Sequence, residues 1–214
     1  MTSTRTGVYS EPMSSESSKT MRSKGDQVRH LIVETANRLF YEGGYNHTSF
    51  TDIVDATDVQ RGNIYYYFKT KDDILRAVID HRLEVITDML NSWSREEKDP
   101  RIRLINFARM LLENANDLAR FGCPMGTINA ELGKGQRDLQ RITRAMFDTF
   151  RGWLVSQYRQ LGANSRLADE LAMETLARAQ GITMVAHVYE DVDTIKREIP
   201  KFEAWLRRTT ETLK

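Results

Sequence analysis

From Asp26 onward, the apolar residues of this chain recur every three to four positions, the spacing that lines one face of an α-helix. Val28, Leu31, Ile32, Thr35, Leu39 and Phe40 follow it, and Gly43-Gly44 stops this first helix. Ser49 predicts the N-cap of a short second helix that turns Ile53 and Val54 inward. Thr57-Asp58-Val59 makes a turn, and a third short helix is expected from about Gln60 to Tyr67. Lys71 to Trp93 reads as a longer fourth helix. After the charged loop SREEKD, Pro100 marks a boundary, and helical spacing resumes from Ile102 to Phe121. Gly122, Pro124 and Gly126 interrupt it. Further helices are expected from about Gly126 to Leu132, Gln136 to Leu161 and Arg166 to Tyr189. The last, Asp193 to Lys214, should bend or restart at Pro200. No segment shows the two-residue alternation of a strand, so the expected fold is all-α. A helix-turn-helix domain over 25–70 would join a larger helical domain over 71–214.

Residues 1 to about 24 carry much Ser and Thr and almost no large aliphatics, so they are expected to be a disordered arm. Met13 and Met21 offer alternative starts within it. The arm lacks an apolar h-region, and no stretch of the chain is apolar enough to span a bilayer. The expectation is a cytoplasmic protein with no membrane partner. A single cysteine, Cys123, excludes an intrachain disulfide and agrees with a reducing compartment. His30, His47, His81 and His187 are scattered, with no i, i+4 pair and no cysteine cluster. No metal site is expected on that ground, and nothing calls for a cofactor.

A net charge of +1 on 214 residues argues against a protein that coats nucleic acid. Between Gly25 and Ser92 acidic side chains outnumber basic ones. The positive charge is local, at Arg61, Lys69 and Lys71 and at Arg5, Lys19, Arg22 and Lys24 in the arm. That local charge surrounds the most informative stretch, TSFTDIVDATDVQRGNIYYYFKTK, from Thr48 to Lys71. Consecutive residues on a helix point about 100° apart, so Tyr65, Tyr66 and Tyr67 cannot all face one core. At least one must point outward, with Phe68 the best core anchor. Two short helices, a tight turn, exposed phenols and flanking lysines suit a helix pressed into the groove of double-stranded DNA.

The same residues carry a family resemblance. The segment from Asp26 to about Leu83 resembles the amino-terminal domain of the TetR family of bacterial transcriptional repressors, above all in the run Gly62-Asn63-Ile64-Tyr65-Tyr66-Tyr67-Phe68-Lys69-Thr70-Lys71. Gly43-Gly44-Tyr45 and the Thr48–Ile53 stretch agree with it. The carboxy-terminal half agrees only in length, helix number and a Gly122-Cys123 pair found in a subset of members. The resemblance implies a homodimer that binds a palindromic operator and is released by a small-molecule inducer. It places Arg61, Gly62 and Asn63 at bases, where Arg61 suits guanine and Asn63 suits adenine. It places Tyr65 and Tyr66 at bases or backbone, Tyr67 and Lys71 at phosphates, and Ser49 and Thr51 at the backbone beside the second helix. Lys69 is counted with them for its charge. Two departures stand out: Asp58 replaces the usual turn glycine, and Gln60 replaces the usual Ser or Thr cap.

An effector site is expected among Phe107, Met110, Asn114, Cys123, Met125, Asn129, Phe147, Phe150 and Met184, with Met146, Trp153 and Met173 also in view. These residues offer flexible apolar surface with a few polar groups, although ordinary core packing would use the same types. Cys123, preceding Pro124, has a second reading as a thiol that senses electrophiles or oxidants. Ala168, Ala172, Ala177, Ala179 and Gly181, with Phe202, Trp205 and Leu206, are the expected dimer face. Two rivals to the regulator are kept open, an enzyme with Cys123 as nucleophile and a helical interaction module that no longer reads DNA. The regulator itself is not expected to be an enzyme.

Overall fold

The computed structural model describes residues 23–133 and 135–213. Residues 1–22, and with them the expected disordered arm, its basic residues Arg5, Lys19 and Arg22, and both alternative starts, lie outside the described residues. Ten helices and no strand are present among the described residues. They are α1 (Lys24–Gly43), α2 (Phe50–Thr57), α3 (Arg61–Tyr67), α4 (Lys71–Glu96), α5 (Pro100–Glu113), α6 (Ala115–Phe121), α7 (Pro124–Leu132), α8 (Arg137–Gln160), α9 (Ser165–Val188) and α10 (Val192–Glu211).

Local chemistry accounts for the boundaries. Ser23, Ser49 and Thr70 cap α1, α2 and α4, each in a reciprocal box with the aspartate three residues on, Asp26, Asp52 and Asp73. Helix α1 therefore starts at Lys24, slightly before the expected Asp26. Asp58 takes a left-handed conformation, φ 53°, in the turn between α2 and α3, a region that Asp enters more readily than most residues. Gln60 provides no side-chain cap to α3.

Helices α1 to α3 close around Ile32, Ala36, Phe40, Tyr45, Ile53, Ile64 and Phe68, which are all buried. Helix α4, about 39 Å long at 1.5 Å per residue, is the spine, packing on α1 at one end and on α8 further along. Helices α8, α9, α10, α5 and α6 complete the larger bundle. Buried Arg103 ties the spine to it. Its guanidinium donates to the carbonyls of Ser94, Glu97 and Lys98 near the end of α4, and to the Gln157 side chain of α8.

Two expectations need correction and a third is narrowed. The stretch from Ile102 to Phe121 is two helices, because Asn114 leaves helical geometry (φ −105°, ψ 17°) and its amide donates to the Met110 carbonyl. Asparagine competes in this way for backbone acceptors that a helix would otherwise use. The α7 helix starts at Pro124, not Gly126, as suits a residue whose missing N–H costs nothing at N1. Helix α10 runs through Pro200 without a restart. An interior proline costs about 3 kcal/mol, but Ile195, Ile199, Phe202 and Leu206 stay on one buried face across it. At about 1.5–3 kcal/mol per buried side chain, that face outweighs the proline.

Candidate nucleic-acid interface

The expected DNA-contacting residues fall at the start of α2 and along α3 into the turn that follows it. Ser49, Thr51, Arg61, Gly62, Asn63, Tyr65, Tyr66 and Lys69 are all exposed. Arg61 Nη2 donates to Thr51 Oγ1 at 2.7 Å, so the starts of α2 and α3 are joined on one surface. Tyr65 stacks on Phe50, the first residue of α2, with ring centres 4.7 Å apart. Tyr66 stands out at 77% exposure and meets the half-buried Tyr67 edge to face. Ile64 and Phe68 face inward and hold α3 down. A side chain at Gly62 would meet nothing within 4 Å, so packing within the chain does not require glycine there.

Lys71, expected at a phosphate, is also engaged within the chain. Its ammonium donates to the backbone carbonyls of Tyr45 and Thr48, at 2.8 and 2.9 Å, and sits 4.2 Å from the centre of the Tyr45 ring. Burial draws its pKa down, while Asp72, Glu131 and Asp52 oppose the shift. This lysine fastens the α1–α2 turn to the start of α4. Tyr45, beneath it, hydrogen-bonds Asp72, and burial followed by that carboxylate pushes its phenol pKa well up.

The same turn is held from the larger bundle. Glu131 of α7 accepts the backbone N–H of Tyr45 at 2.9 Å and that of Asn46 at 2.6 Å. Tyr41 donates to the Gly122 carbonyl, and buried Arg82 of α4 donates to both Asn37 and the Pro124 carbonyl. Helix α7 is thus bonded to α1 and α4 at its amino end and to the α1–α2 turn at its carboxyl end. Gly122 has φ 79° and ψ −171°, and a Cβ there would come within 2.8 Å of Thr127, so this position calls for glycine. None of the bridging residues Tyr41, Arg82 and Glu131 was singled out in the sequence, since each lies in an ordinary helical pattern.

The amino end of α7 borders a cavity with about 20 Å³ of room for a water-sized molecule. Phe107, Met110, Asn114, Cys123, Met125 and Phe150 line it, together with Leu111, Leu118, Pro124, Leu176, Ala179 and Gln180, which had not been anticipated. Three expected residues lie elsewhere. The Asn129 amide bonds Thr143 of α8, Phe147 packs on the core from outside the cavity, and Met184 is exposed on α9. Met146 is core, Trp153 packs on Trp93, and Met173 is exposed. Cys123 is the N-cap of α7, and its Sγ accepts from Gln180 Nε2 at 3.4 Å.

The expected dimer face also divides. Ala168, Ala172, Ala179, Phe202 and Leu206 are buried within the subunit, and Arg178 covers Trp205 at 4.3 Å. Among the residues that α9 leaves exposed, Met173, Ala177, Gly181, Met184 and Val188 fall on one stripe at helical spacing.

Residues 32–78, from α1 through the helix-turn-helix into α4, match the model of the bacterial regulatory proteins of the tetR family. Over this segment the chain belongs to the TetR family. This TetR-family chain is a helix-turn-helix transcriptional regulator. It is 26% identical over 174 residues to a helix-turn-helix transcriptional regulator from the lacX 3′ region of Lactococcus lactis, covering 78% of this chain and 87% of that one. It is 32% identical over 98 residues to the regulator TtgR of Pseudomonas putida, a match spanning 45% of each chain. Among solved structures, a TetR-family transcriptional regulator from Streptomyces coelicolor shares the fold with a TM-score of 0.75 at 18% identity, over 86% of this chain and 97% of that one. A TetR regulator from Chloroflexus aurantiacus does so at 0.75 and 22%, over 86% and 96%. No helix among the described residues is long and apolar enough to cross a membrane.

Proposed function

We propose that this regulator is a homodimeric repressor that grips an inverted-repeat operator through the α2–α3 face and releases it when a small molecule enters the cavity beside α7. The observation that carries the DNA half is the Arg61–Thr51 bond, which presents Arg61, Asn63 and Tyr66 on one exposed surface over a buried Ile64 anchor. Arg61 and Asn63 reach base edges, and Ser49, Thr51, Tyr65, Tyr66, Tyr67 and Lys69 serve the flanking backbone. Residues 25–70 act as the reading head, and 71–214 as the effector and dimer unit.

The cavity wall is mostly apolar, with Asn114 and Gln180 as its polar groups, a lining that suits an apolar or aromatic compound with one or two hydrogen-bonding groups. Sites for such ligands usually span about 300–1,000 Å³. Entry therefore has to move the walls, and the Met110 and Met125 side chains are the adaptable ones. A displaced α7 would pull Glu131 from the α1–α2 turn and shift the reading head. The exposed α9 stripe supplies the dimer seam and sets the two heads about 34–36 Å apart.

The decisive experiment is fluorescence anisotropy on a labelled duplex taken from upstream of the protein's own coding region. The expected result is salt-sensitive, saturable binding that exceeds binding to a scrambled duplex by about 10³-fold or more. Equal affinity for both duplexes would overturn the operator reading and favour the helical interaction module.

A further inference from the structure

Two histidines that stand 51 positions apart in sequence meet at the joint between the reading head and the spine. His30 and Glu34 lie one turn apart on α1, and His81 approaches them from α4. Glu34 Oε1 is 2.7 Å from His81 Nε2 and 3.8 Å from His30 Nε2. The two imidazoles meet edge to face, with ring centres 5.6 Å apart. One donor atom from each of the three residues falls within 4.8 Å of the other two.

We propose that His30, Glu34 and His81 form a binding site for a divalent transition-metal ion of the zinc class, which staples α1 to α4. Two imidazole nitrogens and one carboxylate oxygen are the donor set that such ions prefer, with water completing the coordination. The rings and the carboxylate are half-buried, with side-chain exposures of 41%, 35% and 22% for His30, Glu34 and His81, so an ion and its water have access. Bonds of about 2.0–2.1 Å in a tetrahedral site bring the donors to roughly 3.4 Å apart. To reach it the Glu34–His81 pair, now at 2.7 Å, would open and the Glu34–His30 pair, now at 3.8 Å, would close.

A plain Glu34–His81 ion pair is the simpler alternative. It does not account for a second imidazole 3.8 Å from the same carboxylate oxygen. Metal binding uses both rings, each as a neutral imidazole, together with the carboxylate. The residue after His81 is Arg82, which already ties α4 to α1 and α7. An ion there would stiffen the joint through which the cavity and the reading head communicate. This regulatory consequence rests on the operator reading above, whereas the metal site itself does not.

The test is a titration of tag-free, chelator-treated full-length protein with Co²⁺, followed by its ligand-field absorption, then displacement by Zn²⁺. The expected result is about one ion per chain and a Tm that rises with metal concentration. The variant His30→Ala/His81→Ala should lose at least about tenfold in affinity, equivalent to about 1.4 kcal/mol. Glu34→Gln should weaken binding while keeping the fold, which metal-free Tm checks in every variant. No saturable binding, or equal affinity in the double variant because the ion sits at Cys123 or His187 instead, overturns the site. Operator affinity with and without Zn²⁺ then tests the staple. It should change in the parent protein and not in the double variant, and a filled site with unchanged operator affinity overturns the stapling role alone. If no operator is bound under any condition, the Co²⁺ titration still decides the site.

Discussion

Within the Thr48–Lys71 run, two cations of similar appearance in sequence have different work to do. Arg61 is exposed and held by a neutral hydroxyl that a guanine edge can replace. Arg61→Ala should cost about 1–3 kcal/mol on the true operator and far less on a scrambled duplex, which anisotropy on both duplexes reads directly. Lys71 has two carbonyl acceptors and a ring beneath it. Its replacement by alanine should lower Tm by several degrees, since each lost bond to a charged group is worth about 1.5–3 kcal/mol. The salt slope of DNA binding should fall less than it does for Lys69→Ala. A salt slope that drops by about one unit in Lys71→Ala with no change in Tm would restore the phosphate role. Nothing in the sequence separates these two residues, because the difference lies in which carbonyls the folded chain brings within reach.

The helices themselves were largely legible, for local reasons. Capping boxes at Ser49 and Thr70, the Gly43-Gly44 stop and Pro100 at a helix start act over three or four residues, so they can be read without a fold. An error arose where a buried side chain broke a periodic run, as at Asn114, and at Pro200 tertiary burial kept one helix where the sequence also allowed a restart. The link between α7 and the reading head is the element whose role was hidden, since Glu131 lies 86 positions from Tyr45. Glu131→Ala should leave operator affinity within a few fold of the parent protein and reduce the effector's influence on it. Coupling free energies of about 1–3 kcal/mol are typical. Operator titrations at zero and saturating effector measure this, and an unchanged ratio would remove α7 as the route.

At the scale of the whole molecule, pH reports on the capped helix starts. Asp52 is held below the usual carboxylate range by the Ser49 backbone N–H and then its hydroxyl, Asp73 first by the Thr70 hydroxyl, and Asp191 first by the Thr194 hydroxyl. A carboxyl whose pKa is depressed on folding contributes stability above its unfolded value, and that contribution disappears as pH falls through the folded value. Tm should therefore stay flat down to about pH 5 and fall below about pH 4, and Asp52→Asn and Asp73→Asn together should flatten that fall. The α9 stripe makes a prediction of the same reach. Gly181→Arg should yield a monomer by light scattering, without loss of helical signal, and should abolish high-affinity operator binding. A dimer that persists would move the seam elsewhere.

The chain's periodicity and its capping signals determined an all-α protein with a helix-turn-helix near its start, because helix formation and termination depend on neighbours within a turn or two. Six of the nine residues expected at an effector site, chosen by residue type alone, line the cavity. Only the folded arrangement decided that Lys71 turns inward, that α9 shows solvent a different stripe from the alanines it buries, and that His30 meets His81. Each of these depends on which helices pack against one another. Contacts across 26 to 86 positions leave no periodic trace along the sequence, so the packing had to be seen.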